Sequence, residues 1–548
     1  MRESGPASVS PPAPAHGLVR FLPHAIIFLS SACIMIVELV AGRLIARHLG
    51  SSLYTWTSII GVVLAGMSAG NFLGGRLADR VPPRRLLGWL FLASSVACAA
   101  CLLLNKLAED WAAAGPLAGA SYPARVFISA AFIFLLPALA LGTISPVTAK
   151  MALARGLAVG GTIGSIYAWG AVGSIVGTFA AGYWLIPALG ARGLTLTVAL
   201  VLSAMGLAAG PARVLHAAWT IALAIALWFS QTADQYLFQQ AYGLGLRDGQ
   251  VVQTEIGQVP RPFLFARDSA YQFVQVYDSG GNSLLPGGRE LALDARRHGY
   301  VDLNDPTHLE YKYERIYGWL TEEFFRRQPV ASAFFLGGGS YTFPRWLLSR
   351  WGQARCDVAE LDPVVVEADR LHLGLKDDPR IRTTVNDARI VVREMPAEAQ
   401  YDLIVGDAFS DLSVPWHLTT LEFHRQLKRH MKPDGLLLAN IIDNYVKAGG
   451  FLGAYIETAR KVFKHVHVLT TNSSGPQNWQ SNFVVAAFDS DRPDFLDRLQ
   501  TLLPGHDQGW PASLLTAAHL DYLKARCKGR ILTDDDAPVE LLLAPAAQ

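Results

Sequence analysis

Hydrophobic and polar positions divide this chain into two unlike halves. Long apolar runs lie between Ala25 and Ser230, whereas the region after Gln231 carries most of the Asp, Glu, Lys and Arg. A helix needs roughly 20 apolar residues to cross a bilayer, so the first half predicts an α-helical transmembrane bundle. The candidate spans are 25–45, 53–73, 86–104, 126–149, 160–185, 194–207 and 214–229. The last two are short, so the expected number of seven spans has a margin of one.

The second half shows the shorter periods of strands and surface helices. Residues 271–277 alternate as a strand, 280–282 (GGN) predict a turn, and 289–293 continue the strand pattern. Further strands are expected at 332–336, 356–361, 381–385, 401–405, 435–441, 466–470 and 482–487, with helices that include 364–372 and 419–430. This alternation predicts a mostly parallel sheet with helices on both faces and a β-hairpin added at its end, preceded by a small β-rich segment.

Composition agrees with a membrane half and does not favour a nucleic-acid partner. The chain is 51% hydrophobic and 17% charged with a mean hydropathy of +0.26, which is too apolar for an ordinary soluble protein. The net charge of +2 comes with no block of Lys and Arg, so nothing favours a nucleic-acid partner. The five cysteines lack metal-ligand spacing, which argues against both a disulfide framework and a metal site and favours a reducing compartment.

A glycine-rich loop stands at the centre of the second half. The predicted strand 332–336 runs into Gly337, Gly338 and Gly339, a helical pattern follows, and a second strand ends on Glu360. Glycine allows close approach of the backbone to a ligand, and a carboxylate on the next strand can accept hydrogen bonds from both ribose hydroxyls. Phe343 stands near where G-x-G-x-x-G would have its third glycine. The loop therefore predicts a nucleoside site rather than a dinucleotide site.

Acidic residues follow successive strands of the predicted sheet. Glu360 ends one strand, Asp387 follows the next, and Asp407 ends a third, with Asp411 shortly after it. Ligands of open α/β sheets bind at the carboxyl ends of the strands. Asp387 is suited to accept a hydrogen bond from the exocyclic amine of a base, and Ala388 beside it leaves room. The alternative is helix capping, which explains Asp387 alone but explains three acids at three strand ends less readily.

The order LGGGSY, VAELD, NDA and the Asp407 strand resembles spermidine synthases and related aminopropyltransferases over roughly residues 271–488. The stretches RELALDARRHGYVDLNDPTHLEY, DAFSDLSVPWHLTTLEF and LTDDDAPVE resemble more closely the bacterial membrane-fused spermidine synthase-like proteins. The resemblance implies an α/β Rossmann-like domain of the class I S-adenosylmethionine methyltransferase type. The implied organisation is a disordered tail (1–22), a multi-pass helical domain (23–231), a β-rich segment (232–325) and a catalytic domain (326–548).

The same resemblance implies the roles of the site residues. Gln272 and Glu360 would contact the ribose, Asp387 and Ala388 the adenine, and Gly337, Gly338 and Gly339 the methionine-derived part of the donor. Asp407 would be the catalytic acid, with Glu310 and Tyr313 on the acceptor side and Asp411 at the lip of the site.

Two departures from the soluble synthases change the expected donor. Their loop reads GGGDGG, and its Asp holds the aminopropyl ammonium, whereas Ser340 stands here. Asp407 and Asp411 are also separated by one residue more than the corresponding acids. A neutral Ser340 leaves room for a carboxylate, so both S-adenosylmethionine and its decarboxylated form are candidate cosubstrates, and no metal is required.

Three classes of function stay open at this point. The first is a membrane-bound transferase that moves an aminopropyl or 3-amino-3-carboxypropyl group to an amine or a membrane-associated acceptor and releases methylthioadenosine. The second is a methyltransferase on the same fold. The third is a transporter or sensor whose second half only binds a nucleoside or polyamine. A homodimer is an open option for the assembly.

The membrane half raises a topological conflict. Arginines after the second span and basic residues after the fourth favour cytoplasmic loops and a cytoplasmic N-terminus. Seven spans would then place the second half outside, although its expected ligand is intracellular. We expect a bacterial inner-membrane protein with a cytoplasmic catalytic domain, in which 106–124 hides a re-entrant piece or one short span fails. Glu38, inside the first span, is a candidate for a polar cavity.

Overall fold

A computed structural model describes most of the chain. The described residues are 17–117, 119–154, 159–209, 213–232, 250–254, 257–261, 263–278, 288–294, 296–408, 414–472, 474–476, 480–501 and 512–543. By its internal contacts the chain forms two compact units. One comprises Met1–Ala41, Ile59–Ala108 and Ala130–Trp228, and the other comprises Gly42–Ser58, Glu109–Ser129 and Phe229–Gln548.

The first half is helical throughout its described part. Its α-helices are Gly17–Leu49, Leu53–Arg80, Pro83–Ala114, Tyr122–Gly142, Ile144–Leu153, Val159–Ala180, Ile186–Ala209 and Arg213–Thr232, with a π-helical turn at Ala181–Leu185. Five helical runs of the described chain are long and apolar enough to cross a membrane, and Arg213–Phe229 is a shorter apolar helix. The run Val159–Ala208 covers two predicted spans, with a non-helical Gly190 inside it. The helices are compatible with a multi-pass membrane protein.

The region expected to hide a re-entrant piece is different in the structure. Lys106 lies inside the helix that continues to Ala114, and the next helix starts at Tyr122. The expectation of a re-entrant element at 106–124 was therefore wrong, because the helical pattern continues past the predicted end of the third span.

Small residues allow two close helix contacts within the helical unit. A Cβ on Gly70 would lie 2.2 Å from the carbonyl oxygen of Leu139, and one on Gly173 would lie 2.2 Å from that of Phe28. Any larger side chain would force these backbones apart, which is the usual role of glycines at four-residue spacing in membrane helices.

The second half begins with two antiparallel sheets. Strands β1 (Gln250–Thr254) and β2 (Gly257–Arg261) form a pair. Strands β3 (Phe263–Asp268), β4 (Phe273–Asp278), β5 (Gly288–Leu293) and β6 (Arg296–Asp302) form a four-stranded meander. This confirms the β-rich segment, although the predicted GGN turn lies outside the described residues.

An eight-stranded sheet follows. Its strands are β7 (Ser332–Leu336), β8 (Arg355–Glu360), β9 (Ile381–Val385), β10 (Tyr401–Gly406), β11 (Met431–Asn444), β12 (His465–Thr470), β13 (Gln480–Phe488) and β14 (Ser513–Leu514). Their order is β14-β12-β13-β11-β10-β7-β8-β9. The five strands from β11 to β9 are parallel, and β13, β12 and β14 add antiparallel pairs. The prediction of a mostly parallel Rossmann-like sheet with a terminal hairpin is confirmed.

Helices cover both faces of this sheet. They are Lys312–Phe324, Thr342–Arg350, Pro363–His372, Ala388–Glu394, Leu421–Arg429, Gly450–Ala459, Pro493–Gln500, Ala517–Arg526 and Val539–Leu543, with a 3₁₀ turn at Trp416–Leu418. The neighbours Phe334 and Phe335 of β7 belong to two different buried clusters, one on each face. Burial on both faces explains why the strands are continuous apolar runs. The carboxyl ends of β7, β8, β9, β10 and β11 consequently meet at one edge.

Candidate active site

A cavity of about 710 Å³ opens at this edge of the sheet. Twelve candidate residues were predicted from sequence in and around the site, and ten of them line it. The lining includes Gln272, Tyr313, Gly337, Gly338, Gly339, Ser340, Glu360, Asp387, Ala388 and Asp407. Glu310 is not among the lining residues; it contacts the ring of His308 at 2.9 Å. The remaining acid, Asp411, lies outside the described residues.

The glycine loop passes directly between two strand ends. The N–H of Gly337 donates to the carbonyl of Ala359 at 2.9 Å, and the N–H of Asp407 donates to that of Leu336 at 3.0 Å. Gly337 has a φ of +95°, and a Cβ there would lie 2.6 Å from the carbonyl oxygen of Asp407. Only glycine satisfies both conditions. The loop thus brings the ends of β7, β8 and β10 together.

Glu360 at the end of β8 is tied to this loop. One carboxylate oxygen accepts from the N–H of Gly338 at 2.8 Å and of Gly339 at 3.4 Å, and the other accepts from the N–H of Asp362 at 2.9 Å. The side chain is buried, and desolvation raises its pKa while the backbone donors oppose that rise. A carboxylate has about four acceptor positions. One of them is left for a ligand, and a second becomes free if the long bond from Gly339 breaks.

Asp362 fixes the position of Gln272. Its carboxylate caps the helix Pro363–His372 by accepting from the N–H of Val364 at 2.9 Å, and it accepts from the hydroxyl of Ser269 at 2.5 Å. The side chain of Gln272 is a further hydrogen-bond partner. Gln272 is therefore held next to the strand end that carries Glu360, where both can face the same ligand group.

Asp387 acts as a helix cap and has capacity left for a ligand. One oxygen accepts from the N–H of Arg389 at 2.9 Å and of Ile390 at 3.2 Å, at the start of the helix Ala388–Glu394. The other accepts from Nε2 of His417 at 2.9 Å. The capping explanation raised from the sequence holds, yet the second oxygen keeps one acceptor position, and Asp387 lines the cavity beside buried Ala388.

The distant sequence stretches that carried the resemblance meet behind Asp387. Arg389 makes two hydrogen bonds with the carboxylate of Asp534, one of them at 2.8 Å, and a third with the carbonyl of His417 at 2.9 Å. Thr420 donates to the same carboxylate at 2.7 Å. Asp534 of LTDDDAPVE thereby fixes the turn that carries His417, so this stretch supports the site without lining it.

Asp407 is held by an amide relay. Because Gly406 of β10 lies opposite Ala439 of β11, the residues that follow them are neighbours. Nδ2 of Asn440 donates to Asp407 at 3.0 Å, and Nδ2 of Asn482 donates to Asn440 at 2.9 Å. Burial raises the pKa of Asp407 to about 6, and hydrogen bonds from Asn440 and Tyr313 limit the rise. The carboxyl is thus mainly ionised at neutral pH and suited to accept a proton.

Aromatic residues and a second acid form the wall beside Asp407. Tyr311 and Tyr313 stack with centroids 5.9 Å apart, and Tyr313 meets Tyr317 edge to face at 5.6 Å. Glu314 lies among them, 5% exposed. Burial, followed by the charge of Asp407, raises its pKa to about 8. An aromatic wall beside the ionised carboxylate of Asp407 is suited to an organic cation.

Ser340 has a structural role in the loop. Its hydroxyl is hydrogen-bonded to that of Thr342 at 2.7 Å, and Thr342 donates to the carbonyl of Tyr300 at 2.8 Å. These bonds tie the loop to β6. The part of Ser340 that lines the cavity adds no charge to it.

Several lining residues were missed from the sequence: Asp362, Glu314, Tyr317, His417 and Asn440. A usable signal existed for Asn440, the polar residue that interrupts the apolar run 436–442. Glu314 and His417 reach the cavity only through tertiary contacts, and local pattern gave no indication of them. No cluster of three or more His, Cys, Asp or Glu suited to a metal occurs among the described residues.

Comparison with curated proteins gives a consistent picture, although no family model matches the chain. The chain is 33% identical over 106 residues to a polyamine aminopropyltransferase of Vibrio vulnificus, a match that spans 19% of this chain and 35% of that relative. It is 25% identical over 453 residues to polyamine aminopropyltransferase 2 of Streptomyces coelicolor, covering 79% of this chain and 76% of that relative. A match of that extent includes part of the helical half.

Among solved structures, a probable spermidine synthase from Corynebacterium glutamicum aligns with 50% of this chain and 98% of its own, at 23% identity and a TM-score of 0.43. The curated relatives share the name aminopropyltransferase, and the motifs that suggested this group from sequence surround one cavity. The chain is thus similar to a polyamine aminopropyltransferase over 79% of its length, which supports a spermidine synthase-like family.

Proposed function

We propose that the chain is a membrane-bound transferase that moves an aminopropyl, or 3-amino-3-carboxypropyl, group to an amine or a membrane-associated acceptor. The donor is decarboxylated or intact S-adenosylmethionine, and the nucleoside product is methylthioadenosine. The observation that carries the proposal is Asp407, a partly buried, hydrogen-bonded carboxylate in the same cavity as the glycine loop and Glu360.

The residues divide the cavity into a donor side and an acceptor side. On the donor side, Gln272 and Glu360 hold the ribose, Asp387 and Ala388 the adenine, and the glycine loop the methionine-derived tail. Ser340 ends that loop. On the acceptor side, Tyr313 lines the cavity, and Glu310 and Asp411 attract a cationic amine. In this arrangement Asp407 faces the sulfonium carbon.

The chemistry requires little beyond alignment and one proton transfer. A neutral amine nitrogen attacks the propyl carbon next to sulfur, a C–N bond forms, and the C–S bond breaks with its electron pair going to sulfur. The sulfonium becomes the neutral thioether of methylthioadenosine. The proton lost by the new ammonium passes to Asp407, directly or through water. Alignment and general base catalysis are the two effects the protein supplies.

The proposal is tested by product analysis on the full-length protein in native membranes. Either donor is supplied together with diamines or membrane extract, and the nucleoside products are separated. Methylthioadenosine that depends on the acceptor and disappears in Asp407→Asn supports the transferase. S-adenosylhomocysteine would indicate a methyltransferase instead, and binding without turnover would indicate a sensor or transporter.

We also propose that the second half faces the cytoplasm of a bacterial inner membrane. The expected nucleoside donor is intracellular, and the described cysteines are free and buried. A reporter that is active only in the cytosol, fused after Gln548, should be active. Activity of a reporter that works only in the periplasm would contradict this orientation and the enzymatic function with it.

A further inference from the structure

The last turns of the first helix belong to the same compact unit as the eight-stranded sheet. Residues 42–58 lie in that unit, so the helix Gly17–Leu49 ends inside it. Ser51, which follows the helix, lines the cavity together with Tyr271 and Gln272. The first half of the chain thus supplies part of the cavity wall.

Arg43 joins this helix end to the turn 269–272, which connects β3 to β4. Its Nη1 donates to the carbonyl of Tyr271 and its Nη2 to the carbonyl of Ala270. A guanidinium presents its donors in a rigid planar fork. Two neighbouring carbonyls bound by one fork have both their position and their tilt fixed.

Arg47, four residues further along the helix, contacts both ends of the same turn. Its guanidinium pairs with the carboxylate of Asp268 at 2.5 Å, and the two side chains are 9% and 7% exposed. It also lies over the ring of Phe273, 4.2 Å from the centroid. Asp268 precedes the turn 269–272 and Phe273 follows it. Residues four apart share one face of a helix, which explains why Arg43 and Arg47 meet one turn.

Ser269 pairs with other backbone groups of the turn and leaves its two middle carbonyls to Arg43. Its hydroxyl accepts from the N–H groups of Tyr271 and Gln272, each at 2.9 Å, and its own N–H donates to the carbonyl of Gln272 at 2.9 Å. Ala270 and Tyr271 are exposed, so water would bind their carbonyls if Arg43 were absent. Losing Arg43 would therefore cost little stability, but the turn would lose the contact that sets its tilt.

We propose that Arg43 and Arg47 are positioning residues that orient Gln272 toward the ribose of the donor. This inference rests on the proposed function, in which Gln272 holds the ribose. Asp362 holds the side chain of Gln272, and the two arginines hold the backbone that carries it. Hydrogen bonds weaken steeply when their angle falls below about 120°. A tilt of the turn would therefore weaken the contact from Gln272 while leaving Glu360 in place.

Anchoring of the helix is the alternative explanation for these two arginines. Long cationic side chains near the end of an apolar helix commonly extend to a polar interface. Anchoring needs no particular partner, whereas Arg43 and Arg47 converge here on one four-residue turn and its two neighbours. Anchoring also predicts that nucleoside affinity does not depend on either arginine.

Calorimetry on the full-length protein tests the proposal with methylthioadenosine and with an analogue that lacks both ribose hydroxyls. Arg43→Gln removes the fork and should weaken methylthioadenosine about three- to tenfold, as expected for one neutral hydrogen bond. The analogue should bind to wild type and variant with the same affinity. Arg43→Lys keeps the charge but not the fork, so it should lose nearly as much affinity. It also carries the test if Arg43→Gln does not fold. Arg47→Lys keeps the pair with Asp268 and should weaken binding less than Arg47→Gln.

Arg526→Gln is the matched control. Arg526 also binds neighbouring backbone carbonyls, because its Nη2 donates to that of Val446 at 3.0 Å and to that of Lys447 at 2.6 Å. It is not among the lining residues of the cavity. Its replacement should change Tm about as much as Arg43→Gln does and leave the affinity for methylthioadenosine unchanged.

A double-mutant cycle supplies a readout that a purely structural role would not change. If Arg43 acts through Gln272, the two substitutions are not additive. Arg43→Gln should weaken methylthioadenosine about three- to tenfold in the wild-type background and by less than about twofold in the Gln272→Ala background.

Three results would overturn the proposal. Unchanged affinity in both Arg43 variants would make the arginine an anchor. Equal weakening of methylthioadenosine and its analogue, or a full effect of Arg43→Gln in the Gln272→Ala background, would show that the effect does not pass through the ribose contact. Unchanged affinity in Gln272→Ala alone would remove Gln272 from the donor site and the inference with it.

The same measurements separate this inference from the proposed function. Wild-type protein that binds methylthioadenosine with the expected dependence on Arg43 but forms no product would refute the proposed function alone. Failure of the wild-type protein to bind methylthioadenosine would refute both.

Discussion

Replacing Glu360 with Gln distinguishes a role in ligand binding from a role in supporting the glycine loop. The carboxylate already accepts three backbone hydrogen bonds, from Gly338, Gly339 and Asp362. Gln has one acceptor oxygen and one NH₂ group. If the amide oxygen of the new side chain keeps the hydrogen bonds from Gly338 and Gly339, its NH₂ group faces the N–H of Asp362. Two hydrogen-bond donors then face each other. The substitution thus removes the acceptor position left for the ribose and leaves one buried N–H without a partner.

Both losses have expected magnitudes. A hydrogen bond to a charged group is worth about 1.5 to 3 kcal/mol, so the affinity for methylthioadenosine and for S-adenosylmethionine should fall roughly tenfold to a hundredfold. The unpaired N–H of Asp362 should lower the free energy of unfolding by about 1 to 3 kcal/mol. Calorimetry measures the first quantity, and denaturant unfolding of the same sample measures the second.

Asp357→Asn is the matched control. Asp357 lies on the same strand, accepts from the hydroxyl of Tyr401 at 2.9 Å and is not among the lining residues of the cavity. Its replacement should change stability without changing nucleoside affinity. If Glu360→Gln lowers stability but leaves both affinities unchanged, Glu360 supports the loop and is not the ribose ligand.

Three further predictions concern the other acids. Asp407→Asn should lower turnover by about 10²- to 10⁴-fold with little change in nucleoside affinity; near wild-type turnover would remove Asp407 from the mechanism. Asn440→Leu removes a hydrogen bond that lowers the pKa of Asp407, so the acidic limb of the kcat/KM profile, expected near pH 6, should move to higher pH; an unmoved limb would refute the coupling. Burial raises the pKa of Glu314 to about 8, so the folded protein favours the protonated carboxyl. This contribution to the free energy of unfolding is complete below the ordinary pKa of Glu and is lost as the pH rises toward 8. Glu314→Gln should therefore raise Tm relative to wild type at pH 8 but not at pH 4.5, measured without amines; an equal difference at both values would contradict the buried, protonated state.

The bounds of the strands could be predicted closely where the hydrophobic pattern coincides with residues that interrupt it. Strands β7 and β9 occupy the predicted residues, 332–336 and 381–385. β11 was predicted only from Gly435, because Lys432, Pro433 and Asp434 interrupt the apolar pattern near its start, where Met431 pairs with Tyr401 across a register shift. β6 was not predicted from the sequence, because it begins with basic residues and lacks an apolar pattern there. Backbone pairing at the edge of the meander holds these residues in a strand.

The donor side of the site followed from the sequence because its residues sit at strand ends. Glu360 and Asp407 each end a buried apolar run, and a doubly wound sheet brings such ends together. The relay from Asn482 to Asp407 depends on the order and register of β10, β11 and β13. The burial of Glu314 depends on how one helix packs against a distant strand end. Neither is encoded in a local pattern.

A donor labelled at two positions tests the central claim most directly. Decarboxylated S-adenosylmethionine would carry one isotope in its methyl group and another in its propyl chain, and the full-length protein in native membranes would be supplied with an amine acceptor. The account predicts that the propyl label moves to the acceptor while the methyl label stays with adenosine, in equal amounts, and that Asp407→Asn prevents both. A methyl label on the acceptor, with the propyl label retained by the nucleoside, would contradict it.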